Sequence, residues 1–283
     1  MANEKHAMLI TVYNDFEVLI KLLKYYSEHF DCYVHIDKKV SIPGWFLQEI
    51  REIENITIMQ TYKINWGSYC HVLAVLELLK CASCKGYSYY HILSGNTYPL
   101  QSAEKIKDYF KNAEGTCYIE MFPTEGNEEC DRRQRFFYFL HLYDIRSEKG
   151  ARLERRIIRL QERLRIKRKK EYQYKGYFYC HLPHDFIEIC LQWLQKNPWY
   201  IKKISTVAIS EEFFFQNIIA RTNYLEKVCN NCLIYSRWRD GDKGPAVLDI
   251  QGCQEAINSG ALFARKIRDV HTADWILENI RHS

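Results

Sequence analysis

A chain of 283 residues that is 47% hydrophobic can bury a sizeable core, in one large domain or two closely joined ones. A net charge of +5 is too modest to name a partner, and 11 scattered cysteines, an odd number, fit reduced thiols rather than a disulfide framework. No stretch approaches the ~18–20 apolar residues of a membrane span, and residues 1–20 carry charges on both sides of a short apolar run, unlike a secretory signal, so a cytoplasmic location is expected.

In chain order, apolar runs at 6–13, 31–37, 56–61 and 87–94 predict strands. Helical spacing at 15–26, 46–53 and 71–82 predicts the helices between them. This alternation predicts an α/β fold, a mostly parallel sheet flanked by helices. Such sheets bind ligands beyond the carboxyl ends of their strands, which here carry Tyr13-Asn14, Asp37-Lys38-Lys39 and Ser94-Gly95-Asn96. The turn "TVYNDF" after the first strand is neither a dinucleotide fingerprint nor a P-loop, which argues against the corresponding dehydrogenases and ATPases. Two C-x-x-C pairs, Cys81/Cys84 and Cys229/Cys232, would make a zinc site only if they met. The first sits in a helical pattern without a knuckle glycine, so ordinary thiols are expected.

Residues 147–171 are the compositional outlier, with eleven Lys and Arg between Lys149 and Lys170. Leu153, Ile157, Leu160 and Leu164 recur at helical spacing, which predicts a basic amphipathic helix near 150–170. It would lie on an anionic membrane surface, dock its leucines on the body, or contact nucleic acid. No nucleic-acid fold motif accompanies the charge, so that partner is the least favoured. Further on, helices are predicted at 184–195, 211–220 and 249–259, strands at 206–210 and 232–238, and a loop at 241–245, before "GALFARKIR" and a terminal segment. No repeat or low-complexity linker divides the chain, which favours one continuous domain over 1–283.

Three stretches carry candidate chemistry. In "VAISEEFFFQNII", Ser210 is the expected N-cap, which puts Glu211 and Glu212 in a first helical turn, where the dipole favours anions by roughly 0.3–1 kcal/mol. They either decorate a helix whose core face is Phe214, Phe215, Ile218 and Ile219, or one is a general base at a strand–helix junction facing the ligand crevice. In "ALFARKI", the neighbours Arg265 and Lys266 point to different faces, so one can turn inward as countercharge to an anionic leaving group while the other is solvated. A surface basic pair is the alternative. Asp240 and Asp242 of "RDGD" resemble the metal-binding DxD of sugar-nucleotide transferases, yet the string is also ordinary turn chemistry.

The segments "INWGSYCHVLAVLELLK", "YSYYHILSGNTYPLQSAEKIKDYF", "ISEEFFFQNII", "YSRW" and "ALFARKI" follow one another in an order that resembles the core-2/I-branching β-1,6-N-acetylglucosaminyltransferases and the related peptide O-xylosyltransferases. The resemblance covers roughly residues 6–268, and its best markers are 93–100 and "LFARK" at 262–266. It implies a GT-A-like fold with a Rossmann-type nucleotide-binding sheet, a UDP-sugar donor, inversion at the anomeric carbon, and no metal or other cofactor. Residues 1–115 would then mainly hold the nucleotide sugar and 116–283 mainly the acceptor and catalytic groups. The resemblance implies Glu212 as catalytic base; at the start of the helix Glu211 is then expected to be a dipole partner or solvated neighbour. It also implies Lys266 on the donor diphosphate, Asp37 on the nucleoside, and Glu120 with Arg132 or Arg133 on the acceptor. Departure of a diphosphate without a metal calls for a second cation. Arg237, Arg239 and Lys243 are candidates, and Lys243 or Arg239 is favoured.

Thr97 stands where the family usually carries aspartate, and 174–186 follows the family only loosely, so donor and acceptor identity do not transfer. With no anchor and scattered thiols, the chain looks like a compact bacterial-type member. It is expected to work in the cytoplasm, or peripherally at the inner face of the cell membrane, on a lipid-linked glycan of a surface polysaccharide. The same fold using xylose, galactose or glucuronate is one alternative. A non-catalytic module binding carbohydrate or nucleic acid is the other.

Overall fold

The computed structural model describes residues 3–239, 241 and 244–281. The first half runs β1 (Asn3–Val12), α1 (Phe16–Ser27), β2 (Asp31–Ile36), α2 (Gly44–Arg51), β3 (Ile56–Met59), α3 (Cys70–Ser83) and β4 (Tyr87–Ser94). Then come β5 (Tyr98–Pro99), α4 (Ala103–Lys111), β6 (Cys117–Tyr118), β7 (Phe122–Pro123), α5 (Glu128–Arg135) and α6 (Glu148–Arg163). The chain continues through β8 (Tyr174–Lys175), β9 (Cys180–Pro183), α7 (His184–Lys196), α8 (Trp199–Ile204) and α9 (Glu211–Ile219). It closes with β10 (Val228–Cys229), β11 (Ile234–Ser236), α10 (Ile250–Asn258), β12 (Phe263–Arg265) and α11 (Val270–Arg281).

The central sheet has seven strands in the order β10-β6-β9-β4-β1-β2-β3, with β1 parallel to both β2 and β4. Only β9 runs against its neighbours β4 and β6. This is the mostly parallel α/β sheet that the alternating signals predict. Its strands read as unbroken apolar runs because both faces are covered. Met8 and Ile10 face the layer of α1, α4, α10 and α11, while Ala7 and Leu9 face α3, α7, α8 and α9. That is the period-two alternation of a strand. A smaller sheet, β11-β12-β5, extends the first layer.

Several predicted elements differ. Residues 206–210 form turns rather than a strand. The amide of Ile209 donates to the Gly67 carbonyl (2.9 Å) and that of Tyr138 to the Thr206 carbonyl (2.9 Å), so two loops clasp this segment away from any sheet. Ser210 makes no side-chain cap on α9. The basic stretch is helical only to Arg163; Arg165 takes φ 55°, and Arg168 reaches back to the carbonyls of Thr206 (2.9 Å) and Lys203 (2.8 Å). Helix α6 rests on the body through Gly150, Ile158 and Gln161, the last exchanging hydrogen bonds with both backbone groups of Phe137. Leu153, Leu160 and Leu164 are exposed, which goes against the alternative in which they dock on the body. No helix of the described residues is long and apolar enough to cross a membrane.

One buried chain of histidines crosses the sheet. His91 Nδ1 lies 2.8 Å from His181 Nδ1, and His91 Nε2 lies 3.0 Å from His6 Nδ1, so a neutral His91 donates through one nitrogen and accepts through the other. Burial pushes His6 down to about 4 and His181 down to about 3, and His91 also lies well below the ordinary value. Between pH 6.5 and about 4 the unfolded chain binds protons that these rings refuse, so stability falls as pH falls, by about 1.4 kcal/mol per pH unit for each histidine at most. Urea midpoints should therefore drop between pH 7 and pH 5, and His6→Gln should flatten the slope. An equal slope in the variant would show that His6 titrates normally in the fold.

Candidate active site

The carboxyl ends of β1, β2 and β4 meet at one edge of the sheet. Asp37, 5% exposed, accepts at Oδ1 from the amides of Lys39 (3.0 Å) and Ile64 (3.2 Å), which ties the loop after β3 to the end of β2. After β4 the chain crosses the end of β1 at Gly95, where a Cβ would stand 2.7 Å from Val12 Cγ2. Only glycine permits that crossing. The turn closes on itself: Ser94 Oγ donates to Asn96 Oδ1 (2.8 Å), which leaves the Thr97 hydroxyl to donate to Ser94 (2.7 Å). Thr97 is fully buried in this turn.

The Asn96 carbonyl accepts from the Ile267 amide (3.0 Å), which brings the end of β12 to the same edge. Of its two basic residues, Arg265 is the one turned inward: it is 8% exposed, donates to the Tyr177 hydroxyl, and lies 4.6 Å from the Tyr179 ring centroid. Burial opposes its charge, yet the two phenols hold its pKa above the usual value. Lys266 is half-buried, and its pKa is lowered by burial and then by the charges of Arg265, Arg268 and Arg146. Arg268 is itself paired with Asp15 (2.8 Å), so the charge left for an anion here is that of Lys266, Arg265 and Arg146. The pairing of Arg265 with Tyr177, 88 residues away in the chain, had no signal in the sequence. Nor did the closeness of Arg146 to Lys266.

Glu212 lies in the first turn of α9, whose Phe213, Phe214 and Phe215 are fully buried. The Gly176 amide donates to the Glu212 carbonyl (2.9 Å), and a Cβ at Gly176 would stand 1.7 Å from the Glu120 carbonyl oxygen. Gln216, one turn along α9, donates to that same Glu120 carbonyl (3.3 Å). Glu120, Gly176 and Glu212 therefore converge, although 92 positions separate the first from the last. The Glu120 carboxylate accepts from the Cys232 thiol (3.6 Å).

Arg133 Nη1 donates to Glu212 Oε2 at 2.6 Å, and its Nη2 to Glu129 at 2.5 Å. Arg132, the alternative, is exposed and makes no ion pair with Glu212 among the described residues. Burial raises the Glu212 carboxyl above the ordinary glutamate range, and Arg133, pulling the other way, offsets this only in part. Oε1 receives no hydrogen bond from any described residue, so Glu212 has one oxygen held and one open to an incoming hydroxyl. Glu211 is buried rather than solvated: its Oε1 lies 4.0 Å from His71 Nδ1, and its Oε2 has no partner among the described residues.

Of the second-cation candidates, Arg239 is exposed and Arg237 is bound to Glu255 (2.6 Å). Lys243, Asp240 and Asp242 lie outside the described residues. Among the described residues no group of three or more His, Cys, Asp or Glu could hold a metal ion, and Cys81 and Cys84 are exposed on α3 and its end while Cys232 is buried.

A family model described as "Core-2/I-Branching enzyme" matches residues 7–256. The β-glucuronosyltransferase GlcAT14C of Arabidopsis thaliana is 22% identical over 268 residues, which are 90% of this chain and 65% of that protein. The chain thus spans just under two thirds of that relative's length. Among solved structures, core-mannan synthase A (CmsA/Ktr4) of Aspergillus fumigatus gives a TM-score of 0.38 at 11% identity, over 90% of this chain and 85% of that one. S. aureus TarS 1-349 gives 0.40 at 14% identity, over 98% and 70%.

The ion pair makes a direct prediction. Removing the cation in Arg133→Gln takes away the one strong influence favouring the charged form of Glu212. Its carboxyl should then titrate at higher pH than in the wild type, followed by carbon-13 NMR of labelled glutamate side chains. A carboxyl that titrates at the same or lower pH would show that the pair is not formed in solution.

Proposed function

The chain belongs to the Core-2/I-Branching enzyme family, a family of glycosyltransferases, and on that premise we propose that it moves a sugar from UDP to a glycan hydroxyl with inversion. The observation that carries this reading is Glu212, a carboxylate raised by burial, held by Arg133 through one oxygen and open at the other. A general base works best with a pKa brought towards the operating pH. As the acceptor oxygen attacks the anomeric carbon, Glu212 Oε1 takes its proton, and the bond to UDP breaks. Lys266, with the arginine charges around it, meets the leaving diphosphate. Asp37 at the end of β2 would hold the nucleoside, and Glu120 with Arg133 the acceptor.

Because Lys266 and the arginine charges near it would offset the charge of the leaving diphosphate, we propose a reaction that requires no divalent ion. Residues 1–115 would supply most of the donor site and 116–283 the acceptor side together with Lys266. The donor sugar is N-acetylglucosamine, xylose, galactose or glucuronate, and the name of the Arabidopsis relative puts glucuronate first in a screen. We further propose a cytoplasmic enzyme of surface-polysaccharide synthesis held peripherally at an anionic membrane, near a lipid-linked acceptor. The exposed Leu153, Leu160 and Leu164 beside the arginines of α6 support that placement.

Glu212→Gln should lower kcat by about 10²–10⁴-fold, the usual worth of a general base, while the Kd for UDP stays within about twofold. Near-normal turnover in that variant would remove Glu212 from the mechanism. A panel of UDP-sugars identifies the donor; no hydrolysis or transfer from any of them would favour a non-catalytic module. Activity should survive EDTA, and a loss restored by manganese would return Asp240 and Asp242 to the site.

A further inference from the structure

Beside the candidate active site an open cleft of about 840 Å³ lies between Trp66 and the first two turns of α6. Arg146, Arg152 and Arg155 line it, against a single carboxylate, Glu148. Trp66 is 36% exposed, with the Arg146 guanidinium 5.2 Å from its ring centroid. Arg152 and Arg155 are exposed and make no ion pair or hydrogen bond among the described residues, although the Arg155 charge acts on the neighbouring Glu154 carboxyl.

The cleft is built rather than incidental. Ser147 caps α6 by accepting from the Gly150 amide (3.0 Å), and a Cβ at Gly150 would stand 1.9 Å from the Asp144 carbonyl oxygen. Glycine there lets the helix start hard against the 144–147 turn, which sets the line along which Arg152 and Arg155 project. Spaced three apart, the two share one flank of the helix. At about 100° per residue, Leu153, Leu160 and Leu164 fall on a different flank, across the docked face of Gly150, Ile158 and Gln161. The arginines of the cleft are therefore separate from the leucines assigned above to a membrane.

The cleft also adjoins the candidate machinery. The Gly67 carbonyl, next to Trp66, accepts from Ile209, three residues before Glu212. Asn65, on the other side of Trp66, accepts from Lys39 (3.1 Å) and donates to the Leu140 carbonyl (3.0 Å). Ile64 holds Asp37. A glycan whose hydroxyl reaches Glu212 can extend across this loop into the cleft, which has the volume of a saccharide site rather than of a lone phosphate.

We propose that this cleft binds an anionic segment of the acceptor, a sugar unit bearing a carboxylate or phosphate, near the hydroxyl that is glycosylated. Trp66 presents an apolar ring to the carbohydrate C–H face, and Arg152 and Arg155 offer forked donors to the anion. The occupant's identity as acceptor rests on the proposed glycosyltransferase reading; the cleft's preference for an anionic saccharide does not.

The test uses the full chain, Arg152→Gln/Arg155→Gln and Trp66→Leu, with folding checked by circular dichroism. Calorimetric titrations with trigalacturonate, a glycerol phosphate oligomer, neutral chitotriose and UDP are compared, at low and high salt. At least one anionic probe should bind wild type at least 10-fold more tightly than chitotriose, and weaken as salt rises. Which of the two does so separates carboxylate from phosphate recognition. The double variant should lose at least 10-fold in affinity for that probe while its Kd for UDP changes less than twofold, and Trp66→Leu should also weaken the probe. Equal loss of UDP would assign the cleft to the donor and overturn the proposal. So would variants that lose only co-sedimentation with phosphatidylglycerol vesicles, or a wild type that does not prefer an anionic probe to chitotriose. If wild type binds the anionic probe but not UDP, the glycosyltransferase reading fails while the cleft's assignment to an anionic saccharide stands.

Discussion

The contact on which the candidate site depends is a main-chain one: the amide of Gly176 donates to the carbonyl of Glu212, and the bare Cα of Gly176 lets the Glu120 carbonyl come against it. Three distant segments are thereby fixed at one point. From it, Tyr177 and Tyr179 run on to hold Arg265, and α9 carries the Glu212 carboxylate to Arg133. A side chain at position 176 would force this segment away from Glu120, and Glu212 and the cations would no longer share a frame.

Electrostatically the site is divided. On one side a carboxyl is raised by burial and steadied by a single guanidinium. On the other, a lysine is depressed by burial and then by the charges of three arginines. Burial disfavours both charged forms, but the remedies differ. Glu212 has its counter-ion in Arg133, while no carboxylate among the described residues pairs with Lys266; in the proposed reaction a diphosphate would take that place. This asymmetry fits a reaction in which a proton leaves an acceptor hydroxyl at one end and negative charge gathers on a leaving group at the other.

Helix α6 shows how one basic stretch divides its work. Its docked face is defined by Gly150, Ile158 and Gln161 rather than by the leucines. That leaves the leucine flank facing solvent and a second flank, with Arg152 and Arg155, facing Trp66. The residues after Arg163, equally basic, are used for the fold: Arg168 joins two carbonyls near α8, and Lys170 pairs with Asp131.

The sequence by itself determined the sheet, its flanking helices and the edge at which the candidate residues gather, because strands buried on both faces must be continuous apolar runs and helices between them must show a 3.6-residue period. It also marked the short candidate motifs, Glu212 in "SEEFFF" and Lys266 in "LFARK", since each follows or precedes a run that could only be core. Tertiary structure alone decided what those residues touch. The turn at 206–210 replaced a predicted strand because loops 67 and 138 claimed its backbone groups. Arg133 rather than Arg132 reached Glu212 because α5 turns only one of two adjacent arginines towards α9. Glu211 was buried and Arg265 turned inward, since partners supplied from more than 80 residues away leave no periodic trace in the chain. Local pattern fixes which side chains leave water, and only the packed fold fixes which charges they meet there.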